Sequence, residues 1–159
     1  MTKVQRSVCA TACAITLAFA NTTTSRAERR DLAQRWVDAW NAHDADAVAV
    51  LFTRDALYED VAFGSVNHGP DEIRAFAQFF FAAVPDLRVT LVASSLEDGR
   101  GTIEWVFSGT DRGVYGTGKT FAVRGVAVLE TRGGKISRNS DYEDLATILR
   151  QLGLLPPGL

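Results

Sequence analysis

The feature that most constrains this chain is a run of four alternating apolar segments, Leu87 to Tyr142, with nothing helical between them. Leu87, Val89, Leu91 and Ala93 alternate with Arg88 and Thr90, and Ile103, Trp105 and Phe107 alternate with Glu104 and Ser108. Phe121, Val123, Gly125, Ala127 and Leu129 share one face of a third segment, and Ile136–Tyr142 forms a fourth. A period of two is the mark of a half-buried strand. Short turns rich in glycine join the segments, at Gly99-Arg100-Gly101, Gly116-Thr117-Gly118-Lys119 and Arg132-Gly133-Gly134-Lys135. Consecutive strands are therefore expected to pair antiparallel. None of these turns leads from a strand into a helix, so none is a phosphate-binding loop.

The first half reads as helical. Leu32, Trp36, Val37 and Trp40 recur at spacings of three and four, which predicts a helix over Ala27–Ala42 with one apolar face. Asp44 can cap a second helix, Ala45–Phe52, with Val48, Leu51 and Phe52 inward. Arg54-Asp55 reads as a turn, Ala56–Ala62 as a strand and Gly64–Pro70 as a loop. Pro70 suits the start of a helix over Asp71–Ala83, which Pro85 stops. Asp144 caps a closing helix, Leu145–Leu152, ended by Gly153. Helices must cover one face of the sheet, so the expected fold is α+β in two layers, with a conical hollow between a curved antiparallel sheet and helices on its concave side.

At 159 residues, 47% hydrophobic, the chain has the size and apolar content of one globular domain. Residues 1–27 differ from the rest: Lys3 and Arg6 precede an uncharged stretch, Ser7–Ala20, and Ala18-Phe19-Ala20 and Ser25-Arg26-Ala27 offer cleavage sites. This is the three-part plan of a secretory signal peptide, so an exported protein, periplasmic or secreted, is expected. The alternatives are a disordered leader, with a cytoplasmic protein, or a misassigned start codon. The uncharged stretch is too short and too polar to span a bilayer. Cys9 and Cys13 both fall within it, so the domain, residues 28–159, has no disulfide, thiolate metal site or cysteine nucleophile. The leader holds Lys3, Arg6 and Arg26 and no acidic residue, so the domain is more acidic than the whole chain's net −2. No basic run suggests nucleic acid, and an acidic domain does not suit an anionic membrane surface.

Gly69-Pro70-Asp71-Glu72-Ile73-Arg74-Ala75-Phe76, then Pro85-Asp86-Leu87, Ser108-Gly109-Thr110, Gly116-Thr117-Gly118-Lys119, Gly134-Lys135-Ile136 and Leu149-Arg150-Gln151-Leu152-Gly153 form an ordered set. In that order and spacing they resemble the SnoaL-like polyketide cyclases. That family belongs to the nuclear-transport-factor-two-like superfamily, with ketosteroid isomerase and limonene epoxide hydrolase. The resemblance covers roughly Ala33 to Gly153. It implies a cone-shaped α+β fold with an interior pocket, but not one reaction, because the superfold hosts many.

Asp141 is the first candidate. Strand alternation puts Ser137, Asn139 and Asp141 on one face. The resemblance implies that an Asp at this position is the pocket acid/base, and Asp141-Tyr142-Glu143-Asp144 matches the Asp-Tyr-x-Asp pattern of the epoxide hydrolase. A carboxyl in an apolar hollow has a raised pKa and can exchange a proton near neutrality. Tyr58 and Asp60, at i and i+2, would face the pocket together and Glu59 away from it. Tyr58, with Asp60 or Asn139, would stabilise an enolate oxygen. Were Asp60 close to Asp141, the two would share one proton. The epoxide hydrolase carries an Arg-x-Asp pair where this chain has Trp105 and Phe107, so water activation of that kind is not expected.

Asn139, Trp105, Phe107, Val123, Trp40, Phe80 and His68 are the candidates for substrate contacts, with His68 at the mouth. Each aromatic is equally readable as plain core. His43 reads as a solvated loop residue. Two isolated histidines make no metal site, and no cofactor is implied. The expected function is a cofactor-free acid/base enzyme using Asp141 on an apolar carbonyl substrate, by cyclisation or isomerisation. Ketosteroid isomerase, with one carboxyl base and a neutral acid, shows the same logic. The alternative is a non-catalytic binding module for an apolar small molecule. The outer sheet face, with Arg124, Val126 and Val128, needs cover, and a homodimer would supply it.

Overall fold

The computed structural model describes residues 32–97 and 99–156. The expected leader, residues 1–27, lies outside the described residues. The first helix, α1, is helical over 32–41 and buries Leu32, Trp36, Val37 and Trp40, the face that the spacing predicted. Asp44 caps α2, Ala45–Ala49, by accepting from the Ala47 amide at 2.9 Å. This helix ends earlier than expected. Phe52 is buried as predicted but opens a strand, β1, Phe52–Asp60. The expected turn at Arg54-Asp55 falls where β1 shifts register against its neighbour, so the chain bends without leaving the sheet.

The expected loop after β1 contains a four-residue strand, β2, Ser65–His68, paired antiparallel with β1. Ser-Val-Asn-His is a short polar edge, too weak a pattern to read as a strand beforehand. Helix α3, Gly69–Ala83, follows at once, with Pro70 in its first turn and Ile73, Ala77, Phe80 and Ala83 buried. Arg74 bonds Asp46 at 2.5 Å and Asp71 at 2.6 Å, tying α3 to α2 across the surface.

Strands β3, Arg88–Glu97, β4, Arg100–Thr110, β5, Thr120–Arg132, and β6, Lys135–Glu143, form the predicted antiparallel run. Helix α4, Leu145–Leu152, closes the chain with Asp144 as its cap and Gly153, at φ 72°, as its stop. Gly153 takes the left-handed conformation that other residues avoid. The six strands lie in the order β2-β1-β6-β5-β4-β3. One pairing departs from the expected all-antiparallel sheet: β1 and β6 run parallel. The connection between them contains α3 and four strands, ample length for a parallel crossing. That pairing sets the site, because it places Tyr58 beside Asn139 and Asp60 beside Asp141.

The sheet's inner face packs against α1 and α3 around one core that includes Tyr58, Ile103, Trp105 and Leu129. Asn41 at the end of α1 fixes the layers together: its amide bonds the Val89 carbonyl and amide, both at 2.8 Å. His43 is not solvated. It bonds the Leu87 carbonyl at 2.9 Å and stacks on Phe81 with ring centres 5.0 Å apart. On the outer face Val92, Val128 and Tyr142 stand exposed. Among the described residues no helix is long and apolar enough to cross a membrane.

Candidate active site

Between the sheet and the helices lies a narrow cavity, about 420 Å³ of atom-free space with its mouth included, of which a water-sized occupant can sweep about 50 Å³. Trp36 and Trp40 of α1, Phe76 and Phe80 of α3, Phe63 of the β1–β2 connection, and Trp105 and Phe107 of β4 supply its rings. They leave a slot, not an open bowl. Four polar side chains enter it: Tyr58, Asp60, Asp141 and Glu143.

Asp141 is 5% exposed and has a donor on each oxygen. The Tyr58 hydroxyl donates to Oδ2 at 2.5 Å, and the Asn139 amide donates to Oδ1 at 2.8 Å. Burial pushes the Asp141 carboxyl up to about 7, against the downward pull of those two hydrogen bonds, with the charge of Asp60 adding to the rise. Tyr58 is held well above its ordinary range by burial and by the Asp141 charge, so it remains a donor. The Tyr58 ring sits against Phe52 and Phe76, which fixes the hydroxyl's position.

Asp60 lines the cavity but does not bond Asp141. Its Oδ1 accepts from the Phe63 amide at 3.0 Å, and it lines the cavity together with Glu143. Burial pushes both carboxyls up, and the Asp60 and Asp141 charges push Glu143 further. No hydrogen bond joins Asp60 to Asp141, and the carboxyl whose rise depends most on the Asp60 charge is that of Glu143. Glu143 was not among the sequence candidates. The signal for it was present, since it follows Asp141 by two, but the expected strand stopped at Tyr142, one residue short of it.

Trp105 owes its pose to Gly125, its cross-strand neighbour. A Cβ there would lie 2.2 Å from Cη2 of the indole, so only glycine lets the ring lie flat against β5. Of the other expected contacts, Phe107, Trp40 and Phe80 line the cavity. Asn139 does not; it is fully buried behind Asp141. Val123 is core, paired with Phe107 across β4 and β5 and away from the cavity lining. His68 is exposed at the end of β2, where its amide bonds Glu72 at 2.6 Å, and it does not reach the cavity. A histidine at that point precedes α3 and points the chain into the helix, not into the cone. Ser137 does not share the face of Asn139: β6 shifts register between Ile136 and Arg138, so Ile136, Asn139 and Asp141 face inward together. Among the described residues no group of three or more His, Cys, Asp or Glu is arranged to hold a metal ion.

A curved open sheet with helices over its inner face and buried acids at its floor defines a protein of the ketosteroid isomerase-like fold. A protein of that fold from Catenulispora acidiphila, solved in complex with trimethylamine, superposes with a TM-score of 0.72 at 30% identity, over 78% of this chain and 93% of that one. TsrD from Streptomyces laurentii superposes at 0.73 with 25% identity, over 82% and 98%. The cyclase aurE of Calcarisporium arbuscula is 32% identical over 103 residues, 64% of this chain and 76% of that protein. The profile of the SnoaL-like polyketide cyclases matches residues 30–152, and the chain belongs to that family.

Proposed function

We propose that the protein is an acid–base catalyst in which Asp141 removes a proton next to a carbonyl group of an apolar, oxygen-bearing small molecule, leading to ring closure or a double-bond shift. The observation that carries this reading is a carboxyl buried in an aromatic slot, held on both oxygens, with its proton exchange near pH 7. A base is most effective when its pKa lies near the working pH. Tyr58 and Asn139 orient the carboxylate in this scheme. In this scheme Tyr58 acts on Asp141 through that hydrogen bond, and a role as donor to an enolate oxygen is not assigned to it. Trp105 and Phe107 present rings to the reacting centre, so the substrate face nearest Asp141 is flat and apolar. The kinship with a protein named a cyclase supports ring closure as the reaction class.

The test is to incubate the pure protein with a metabolite mixture, identify the retained compound, and compare wild type with Asp141→Asn. Turnover abolished with retention kept is the expected result. Retention in both proteins with turnover in neither makes the protein a binding module and refutes the catalytic reading.

A further inference from the structure

Chemistry beside a carbonyl needs two proton handlers, one for the carbon and one for the oxygen. Asp141 serves the carbon in the reaction proposed above. Tyr58 cannot serve the oxygen while its single hydroxyl proton is spent on Asp141, and Asn139 does not line the cavity. Glu143 does line it. It stands two residues from Asp141 on the same face of β6, opposite Gly125, and its Oε2 is buried without a hydrogen-bond partner. Asp60 lines the same cavity, and burial together with the Asp60 and Asp141 charges pushes the Glu143 carboxyl up, because neighbouring buried carboxyls cannot all ionise cheaply.

A separate observation points to an oxygen-bearing occupant. Trp36, Trp40 and Trp105 are each no more than 5% exposed, all three line the cavity, and the indole nitrogen of each lacks a partner. Buried donors of this kind are costly unless an acceptor, from a ligand or a water, meets them. We propose that Glu143 is the acid of the site: it gives its proton to the substrate's carbonyl oxygen while Asp141 takes one from carbon, and Asp60 holds Glu143 in its protonated form. This rests on the acid–base reading above.

In a ring closure the C–H bond breaks and its proton goes to Asp141. The electron pair forms the new C–C bond to the acceptor carbonyl carbon, and the acceptor oxygen becomes a hydroxyl with the proton of Glu143. Asp141 then returns its proton to the Asp60–Glu143 pair, so no net proton, oxidant or reductant is required. Glu143 also borders a groove on the outer face, with Glu104, Arg124, Tyr142 and Asp144, which gives the pair a route to exchange with water. Arg124 is bonded there to Glu104. The groups facing Glu143 are thus Asp60 and Tyr58 on β1, Asp141 on its own strand, and those four on the groove side.

The probe is 2-tetralone, a flat ketone, with α-hydrogen exchange in D2O followed by proton NMR across pH. Wild type should accelerate exchange, with a rate that rises as Asp141 ionises and falls as the pair loses its proton. Asp141→Asn should abolish the acceleration. Glu143→Gln should slow it at least about tenfold and erase the falling limb. Asp60→Asn should move that limb to lower pH, because Glu143 loses the neighbouring charge; it carries the test should Glu143→Gln fail to fold. No acceleration by wild type sinks the acid–base reading and the acid with it. Exchange lost in Asp141→Asn but unchanged in Glu143→Gln, or slowed with the falling limb intact, overturns the role of Glu143 alone.

Discussion

Replacing Tyr58 by Phe should move the ionisation of Asp141 upward. The hydroxyl donates to Oδ2 at 2.5 Å, and with the Asn139 amide it opposes the burial that carries the carboxyl to about 7. A hydrogen bond to a charged group contributes roughly 1.5–3 kcal/mol. At about 1.4 kcal/mol for each pKa unit, its loss raises the midpoint by roughly one to two units. Phenylalanine keeps the ring contacts to Phe52 and Phe76, so the burial contribution remains. Carboxyl 13C NMR of aspartate-labelled protein, with Asp141→Asn for assignment, reads the midpoint directly. A midpoint in Tyr58→Phe at or below that of wild type would refute the reasoning.

The same shift carries a stability signature. Asp141 titrates in the folded protein above its ordinary value of 3.8. Its contribution to stability is therefore whole below that value and is lost as pH rises toward the folded pKa. For wild type the window runs from 3.8 to about 7, worth roughly 4 kcal/mol at its upper end. In Tyr58→Phe the loss should continue to higher pH. Asp60 and Glu143 are also raised and add with the same sign, so the comparison that isolates Asp141 is the difference from Asp141→Asn in urea unfolding at stepped pH.

Two further substitutions probe how the cavity is held. Gly125→Ala puts a methyl group 2.2 Å from the Trp105 ring; the ring must leave β5, at a cost of roughly 1–3 kcal/mol, and a thermal melt with unchanged midpoint and unchanged near-ultraviolet dichroism would contradict this. Asn41→Ala strips the Val89 amide and carbonyl of their side-chain partner, which should cost roughly 1–3 kcal/mol in denaturant unfolding; no loss would mean that α1 is not pinned to β3 by this residue.

The strands of the second half were legible because each has a polar and an apolar face in water, and their alternation records it. The helix face of Leu32, Trp36, Val37 and Trp40 and the caps Asp44 and Asp144 were legible for the same local reason. What escaped was set by partners distant in the chain. Phe52 joins a strand because Ile136 lies beside it, 84 positions on, and Ser65–His68 becomes a strand only because β1 offers an edge. His43 was misread because its partner, the Leu87 carbonyl, is a backbone atom that no side-chain pattern reveals. Asp141, Tyr58 and Asp60 were singled out and all three line the cavity, but the contacts each makes were not legible, since they depend on which group each rotamer reaches.

The parallel contact of β1 with β6 explains why these acids differ in role although they share one face. Along β6, Asn139 is fully buried, Asp141 nearly so, and Glu143 reaches the outer groove. Strand period alone therefore grades three polar side chains by depth. β1 supplies one neighbour at each of two levels: Tyr58 opposite Asn139 bonds Asp141, and Asp60 opposite Asp141 acts by its charge on Glu143. Each β1 side chain thus reaches one pair further along β6 than its own register partner. The deeper carboxyl gains donors and is held oriented, whereas the outer one meets another carboxyl, whose charge pushes its pKa up. A one-residue slip of β1 against β6 would turn Tyr58 and Asp60 to the outer face and dissolve both arrangements together. The proposed division between an oriented base and a protonated acid would thus be a consequence of strand register, and any substitution that alters that register should erase both at once.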